Sequence, residues 1–225
     1  MALEIITNYM TRNDCYTANR KIEVKGLMLH STATPGVMAK DWFTRWNKSY
    51  KAKEINRQVC VHGFIDDKEC YQYLPWDHRG WHAGGKANDT HIGVEMCEPK
   101  NLDDKEYFKR VYDNAVELFA KLCREYNLTA DKIITHSEGY KLGIASNHAD
   151  VMHWFPRHNK TMDDFRTDVA NKLSSTPQWK IDLYEEAMKE RLITDTTWKD
   201  KLDEPAPVWF VLALATRAKG GENNE

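Results

Sequence analysis

Apolar and polar positions along this chain follow two regimes. Up to about residue 173, short apolar runs of strand character alternate with stretches whose apolar residues recur at helical spacing. Leu27-Met28-Leu29-His30 reads as a buried strand ending on a histidine, broken at once by Ser31-Thr32-Ala33-Thr34-Pro35-Gly36. Residues 41–49 place Trp42, Phe43 and Trp46 at helical spacing, which predicts a short amphipathic helix with core aromatics. Residues 58–65 alternate as a strand, with Cys60, His62 and Phe64 on one face and Val61, Gly63 and Ile65 on the other. Asp66-Asp67-Lys68 turns the chain tightly, and residues 69–74 return as its hairpin partner. Residues 91–98 predict another strand, with Ile92, Val94 and Met96 opposite Gly93, Glu95 and Cys97.

Residues 102–126 carry the clearest helical pattern: Tyr107, Val111, Leu118 and Leu122 form one stripe, and Asp103 and Asp104 sit near the N-terminus. Ile133-Ile134-Thr135 predicts a strand delivering His136, and residues 162–173 a closing helix. Strands separated by helices describe an α/β domain over residues 1–173, with polar groups converging at strand ends.

The second regime begins after Ser174-Ser175-Thr176-Pro177, a linker by composition. Over residues 178–218 two helical segments, 183–191 and 206–217, flank a polar stretch. Trp179, Leu183, Tyr184, Trp198, Trp209, Phe210 and Leu212 are too many to leave in water and too few for a secure core. The segment is therefore expected to lean on the first domain, on a partner chain such as a second copy in a homo-oligomer, or on a surface. Residues 219–225 are expected to be disordered.

Composition narrows the classes. At 225 residues the chain is long for one domain and short for two. A net charge of −2 gives no reason to expect nucleic acid or an anionic membrane surface. The apolar run 208–215 is too short to span a bilayer. The N-terminal MALEIITNYM has no secretory pattern, so the expectation is synthesis in a cytoplasm and action after release. Cys15, Cys60, Cys70, Cys97 and Cys123 form no CxxC pair, which excludes a zinc ribbon and a dithiol redox motif and fits buried thiols in a reducing compartment. Eight tryptophans and ten tyrosines are either core or a stacking surface for sugar or peptide.

Candidate chemistry concentrates in three places. Residues 133–150, IITHSEGYKLGIASNHAD, place His136, His148 and Asp150 around a loop that Gly139 and Gly143 make flexible. Two histidines and a carboxylate beside a buried strand suit zinc, and equally suit surface histidines with no ligand role. Residues 75–89, PWDHRGWHAGGKAND, form an irregular loop whose cost as structure suggests a function. Glu95, inside an apolar strand, should face a site; the alternative is an ion pair with Lys86 or Arg79.

Five pieces in order, LMLHSTATPG, VHGFIDDKECYQ, GWHAGG, THIGVEMCEP and THSEGYKLGIASNHADVMHWF, cover most of residues 20–170. Together they resemble the zinc-dependent N-acetylmuramoyl-L-alanine amidases of the type 2 family, which includes phage endolysins and autolysins and is related to peptidoglycan-recognition proteins. The resemblance implies a central mixed β-sheet flanked by helices, one Zn2+ per chain, and peptidoglycan as substrate, cleaved between N-acetylmuramic acid and L-alanine. It matches His30 and His136 to the first two ligands. Gly143 and Ile144 stand where many members carry a Cys or Asp. The autolysin-like branch therefore assigns His148 as third ligand, with Asp150 as fallback or as a residue orienting a ligand.

Glu95 matches that branch's catalytic glutamate, and Val61 beside His62 leaves the tyrosine role of other members empty. His62, Trp76, Trp81, His82, Asn88 and Trp154 fall where the family lines its substrate groove. His62 and His82 each suit polarising the amide carbonyl or a structural, hydrogen-bonded imidazole. His153 and His158 are set aside as structural. A non-catalytic peptidoglycan-recognition module and a zinc amidase for another amide are the alternative readings.

Overall fold

The computed structural model describes residues 3–175, 178–202 and 212. Its centre is strand β2, Gly26–Ser31, all six residues of which are buried, as expected of a strand covered on both faces. With β1 (Glu4–Thr7), β3 (Gly63–Ile65), β4 (Glu69–Gln72), β5 (His91–Met96) and β6 (Ile133–Thr135) it forms a mixed sheet of order β1-β4-β3-β5-β2-β6. Only β3 and β4 pair antiparallel among these neighbours; the other pairs are parallel, and the helices that accompany the sheet are α1 (Asp14–Ala18), α2 (Trp42–Trp46), α3 (Lys105–Glu125), α4 (His136–Lys141) and α5 (Met162–Ser174).

Alternation sorts the side chains. Leu27, Leu29, Ile92, Val94 and Ile133 join one core with Val111, Ala115, Leu118, Phe119 and Leu122 of helix α3 (Lys105–Glu125). Asp104 starts α3 by accepting the Tyr107 N–H, one of the N-terminal donors a helix leaves unpaired. Helix α5 (Met162–Ser174) closes this layer, with Phe165 edge-on to Phe119 at 5.3 Å. On the opposite face Phe64 stacks on Trp42 at 4.7 Å, beside Trp46, and Met28 packs with Ala83 and Ala87.

Three local readings need correction. Residues 58–62 do not extend β3: Cys60 instead pairs antiparallel with Trp81, drawing the chain onto the 75–89 loop. The expected flexible loop after His136 opens as a helix, His136–Lys141, closed at its start by a capping box between Thr135 and Glu138. Gly139 is there for closeness rather than freedom, since a Cβ would lie 2.9 Å from Met28 Cε. Strand β1 and the short helix Asp14–Ala18 were not foreseen; β1 is an edge strand with little burial contrast.

The chain divides into two compact units, residues 1–174 and 175–225. In the second, Gln178–Lys189 is helical and Thr196–Lys201 forms a short 3-10 stretch. Tyr184 is buried and its hydroxyl donates to the Thr196 carbonyl at 3.4 Å, whereas Leu183, Leu192 and Trp198 are exposed. The expected helix over 206–217, with Trp209 and Phe210, the Trp179 side chain and the tail lie outside the described residues. Among the described residues no helix is long and apolar enough to cross a membrane.

Candidate metal centre

The polar face of the sheet is built by register. His30 stands opposite Glu95 across the β2–β5 ladder, so both side chains leave the sheet on the face away from α3. Strand β6 runs beside β2 with Thr135 opposite Leu29, which delivers His136 next to His30. The chain returns at Asp150, whose φ of 44° lies in the left-handed region that Asp tolerates better than most residues.

Among the described residues, His30, His136 and Asp150 bring one ligand atom each to within 4.8 Å of one another. Asp150 Oδ2 lies 3.2 Å from Nδ1 of His30 and 3.2 Å from Nδ1 of His136. Both histidines are buried. Burial alone would raise the Asp150 pKa, but the two imidazoles outweigh it and hold the carboxyl well below its usual range. The outer ring nitrogens are also engaged: His30 Nε2 lies 2.9 Å from His82 Nδ1, and His136 Nε2 lies 3.0 Å from Ser146 Oγ.

Glu95 shares this face of the sheet, opposite His30 in the ladder. Its Oε2 is buried with no hydrogen-bond partner among the described residues. Desolvation raises its pKa well above the ordinary value, the Asp150 and Glu98 carboxylates push the same way, and Arg57 opposes them. Arg79, the partner considered for it, pairs with Asp89 at 2.6 Å instead.

The structure sorts the other expected residues. His148 is exposed and outside the cluster, with Nδ1 3.2 Å from Ser146 Oγ. It is Asp150 that joins the two buried histidines. The Ser146 N–H is tied to the Ala83 carbonyl at 2.8 Å, residues 147–149 stay exposed, and the chain turns inward only at Asp150 and Val151.

His62 braces the sheet: its Nε2–H donates to the His78 carbonyl at 2.7 Å and its Nδ1 accepts the Gly93 N–H at 3.0 Å. Burial lowers its pKa to about 4. Asn88 is buried, and its side-chain carbonyl accepts the N–H groups of His82 and Ala83, each at 2.9 Å. Trp154 is fully buried, packs edge-on to Phe108 at 5.2 Å, and donates its indole N–H to the Leu102 carbonyl. It is core, and cannot wall a groove. Trp76, stacked on His62 at 6.4 Å, and Trp81 keep partly exposed surface. His153 pairs with Glu98 at 3.0 Å, and His158 stacks on Phe108 at 3.9 Å.

Two supporting residues carried no mark in the sequence. Arg166 pairs with Glu138 at 3.0 Å and donates to the Ile133 carbonyl at 3.0 Å, holding the strand-to-helix junction at His136. Ser146 links that histidine to Ala83.

A family model described as N-acetylmuramoyl-L-alanine amidase matches residues 19–157. The chain is 32% identical over 146 residues to a probable N-acetylmuramoyl-L-alanine amidase of Bacillus licheniformis, covering 60% of this chain and 40% of that one. It is 36% identical over 90 residues to the N-acetylmuramoyl-L-alanine amidase CwlH of Bacillus subtilis (strain 168), covering 38% of this chain and 34% of that one. The chain thus spans about two fifths or less of these relatives' length. Among solved structures, the Staphylococcus aureus hydrolase AmiA aligns with a TM-score of 0.62 at 21% identity, over 77% of this chain and 84% of that one. The catalytic domain of XlyA aligns with a TM-score of 0.57 at 24% identity, over 74% and 99%. These two share the fold described above.

Proposed function

The chain belongs to the N-acetylmuramoyl-L-alanine amidase family, and from that premise we propose that it hydrolyses the amide between N-acetylmuramic acid and L-alanine in peptidoglycan, with one zinc held by His30, His136 and Asp150. The observation that carries the reading is the convergence of these three donors on the sheet face that also carries Glu95, whose buried Oε2 has no hydrogen-bond partner among the described residues. Two imidazole nitrogens and one carboxylate oxygen are a fitting donor set, because catalytic zinc takes three protein ligands and keeps a position open.

Zinc, when bound, supplies Lewis acidity toward the amide carbonyl and lowers the pKa of a water it holds to about 7. The chain's own part falls to Glu95. A carboxylate with a raised pKa, whose buried Oε2 has no hydrogen-bond partner among the described residues, takes the proton of the attacking water on that oxygen and returns it to the alanine nitrogen as the C–N bond breaks. The products are the muramic acid carboxylate and a free L-alanine amine, so the proton and the water are both accounted for. Partly exposed Trp76 and Trp81 are suited to stacking on glycan or stem peptide.

Action on a bacterial wall as an endolysin completes the reading, with residues 178–218 as a wall-binding segment that raises the local concentration of the catalytic unit. A helical brace or a self-association surface is the competing role for that segment. Dye release from purified walls, with and without a chelator, tests the whole. The expected result is chelator-sensitive release with new L-alanine N-termini. Wall binding without release would leave a recognition module, and new ends inside the stem peptide would mean another amide.

A further inference from the structure

We propose that the loop of residues 81–88 is a clamp that sets the proton positions of both histidine ligands, with His82 and Ser146 as positioning residues. The proposal rests on the metal reading above. An imidazole that binds a metal through one nitrogen must carry its proton on the other, and a hydrogen-bond partner there decides which tautomer forms.

The partners here run in one direction. His82 Nε2 lies 3.1 Å from the His91 carbonyl, which can only accept, so His82 carries its proton on Nε2. Its Nδ1 is then a lone pair, and His30 Nε2, at 2.9 Å, must be the donor. That leaves the His30 lone pair on Nδ1, the atom facing Asp150 at 3.2 Å. The second chain ends the same way. Ser146 Oγ lies 3.2 Å from the Ala83 carbonyl, which can only accept, 3.0 Å from His136 Nε2 and 3.2 Å from His148 Nδ1; with its one proton on the carbonyl, the hydroxyl accepts from His136 Nε2–H. The His136 lone pair is thereby also on Nδ1, 3.2 Å from the same carboxylate oxygen. Two acceptor-only carbonyls fix both rings.

The loop is built to hold that arrangement. Asn88 ties the His82 and Ala83 N–H groups to one side-chain oxygen, so the two chains share an anchor. Its glycines and their neighbour serve close approach. A Cβ on Gly93 would lie 2.5 Å from His82 Nδ1, one on Gly84 2.6 Å from Ser146 Oγ, and one on Gly85 2.4 Å from the Ile144 carbonyl oxygen. Gly84 also takes a φ of 63°, in the left-handed region. His82, expected in the substrate groove, instead sits behind a ligand.

The test uses the full chain, with long-range 1H–15N correlation spectra of the imidazoles in zinc-free protein and zinc affinity from competition with a chromophoric chelator. Wild-type His30 and His136 should both show the Nε2–H tautomer before zinc is added. His82→Ala should scatter the His30 tautomer and weaken zinc about 10- to 100-fold. His82→Gln, whose side-chain carbonyl can accept from His30 Nε2–H, should recover most of that loss, and Ser146→Ala should disturb His136 while leaving the His30 tautomer unchanged. An Nδ1–H tautomer on His30 in the wild type would overturn the proposal. So would His82→Ala with an unchanged His30 signal and zinc affinity within about twofold, well short of the expected loss. Where His82→Ala does not fold, His82→Gln and Ser146→Ala decide: imidazole spectra and zinc affinity unchanged in the serine variant, or no retained tautomer in the glutamine variant, count against the clamp. Wild-type protein that binds no zinc defeats the metal reading, while the zinc-free spectra still decide the clamp.

Discussion

The two faces of the sheet use the same strands for opposite ends. Toward α3, Leu27, Leu29, Ile92 and Val94 are fully buried in one apolar and aromatic core. One residue along in each strand, His30 and Glu95 meet each other's surroundings of imidazole and carboxylate. The first face can be satisfied by packing alone. The second must be satisfied group by group, and it leaves Glu95 Oε2 unpaired among the described residues. The difference teaches that stability and chemistry are separable here to the width of one residue, and that the apolar face acts as a rigid floor for the polar one.

The contrast breaks most sharply at the loop that supplies the carboxylate. Asp150→Ala should lose zinc and wall-lytic turnover together, whereas His148→Ala, an exposed residue outside the cluster, should keep its zinc by elemental analysis. Retention in the first variant and loss in the second would return the third ligand to His148.

Next in size, Glu95→Gln should fold and load zinc normally yet lower turnover by about 100- to 10,000-fold. A variant that lyses walls at the wild-type rate makes Glu95 structural. On the floor side, Leu29→Ala should cost about 2–5 kcal/mol in urea unfolding through the cavity it leaves, while zinc stoichiometry stays at one. Loss of zinc at full stability would show that the two faces are not separable.

Acid sharpens the comparison least but most generally. His62 is buried with a pKa of about 4 against an ordinary 6.5. Over that window the unfolded chain takes up the proton and the folded one does not, so its contribution is intact above pH 6.5 and falls as pH drops toward 4. The total is about 3 kcal/mol. Urea midpoints of zinc-free protein at pH 7.5 and pH 5 should show the fall, and His62→Gln should flatten it. Equal slopes in both proteins would assign the acid loss elsewhere.

What could be read in advance follows the same division. Strands β2, β5 and β6 and helix α3 declare themselves because dense apolar periodicity and burial agree; His30 and Glu95 ride on two of these strands and His136 directly follows the third. The helix opening at His136 was legible in principle through Thr135 and Glu138, but its polar, glycine-containing sequence resembled a loop. That Asp150 rather than His148 comes to lie between the two buried histidines goes with Ser146 meeting Ala83, residues 63 apart in sequence, which no local pattern reports. Trp154 misled for a different reason: an aromatic inside a polar motif looks like a groove wall until its packing on Phe108 is seen.

The pairing of His30 with Glu95 across the β2–β5 ladder has a metrical consequence. Neighbouring strands keep a separation of about 4.8 Å, so the spacing of His30 and Glu95 is ruled by the sheet and insulated from drift in the surrounding loops. The arrangement behaves like a reading frame. Loops may lengthen or shorten without altering that interval, but one residue gained or lost inside β5 would turn Glu95 toward α3 and present a leucine-sized hydrocarbon neighbour, Val94 or Met96, to the amide instead.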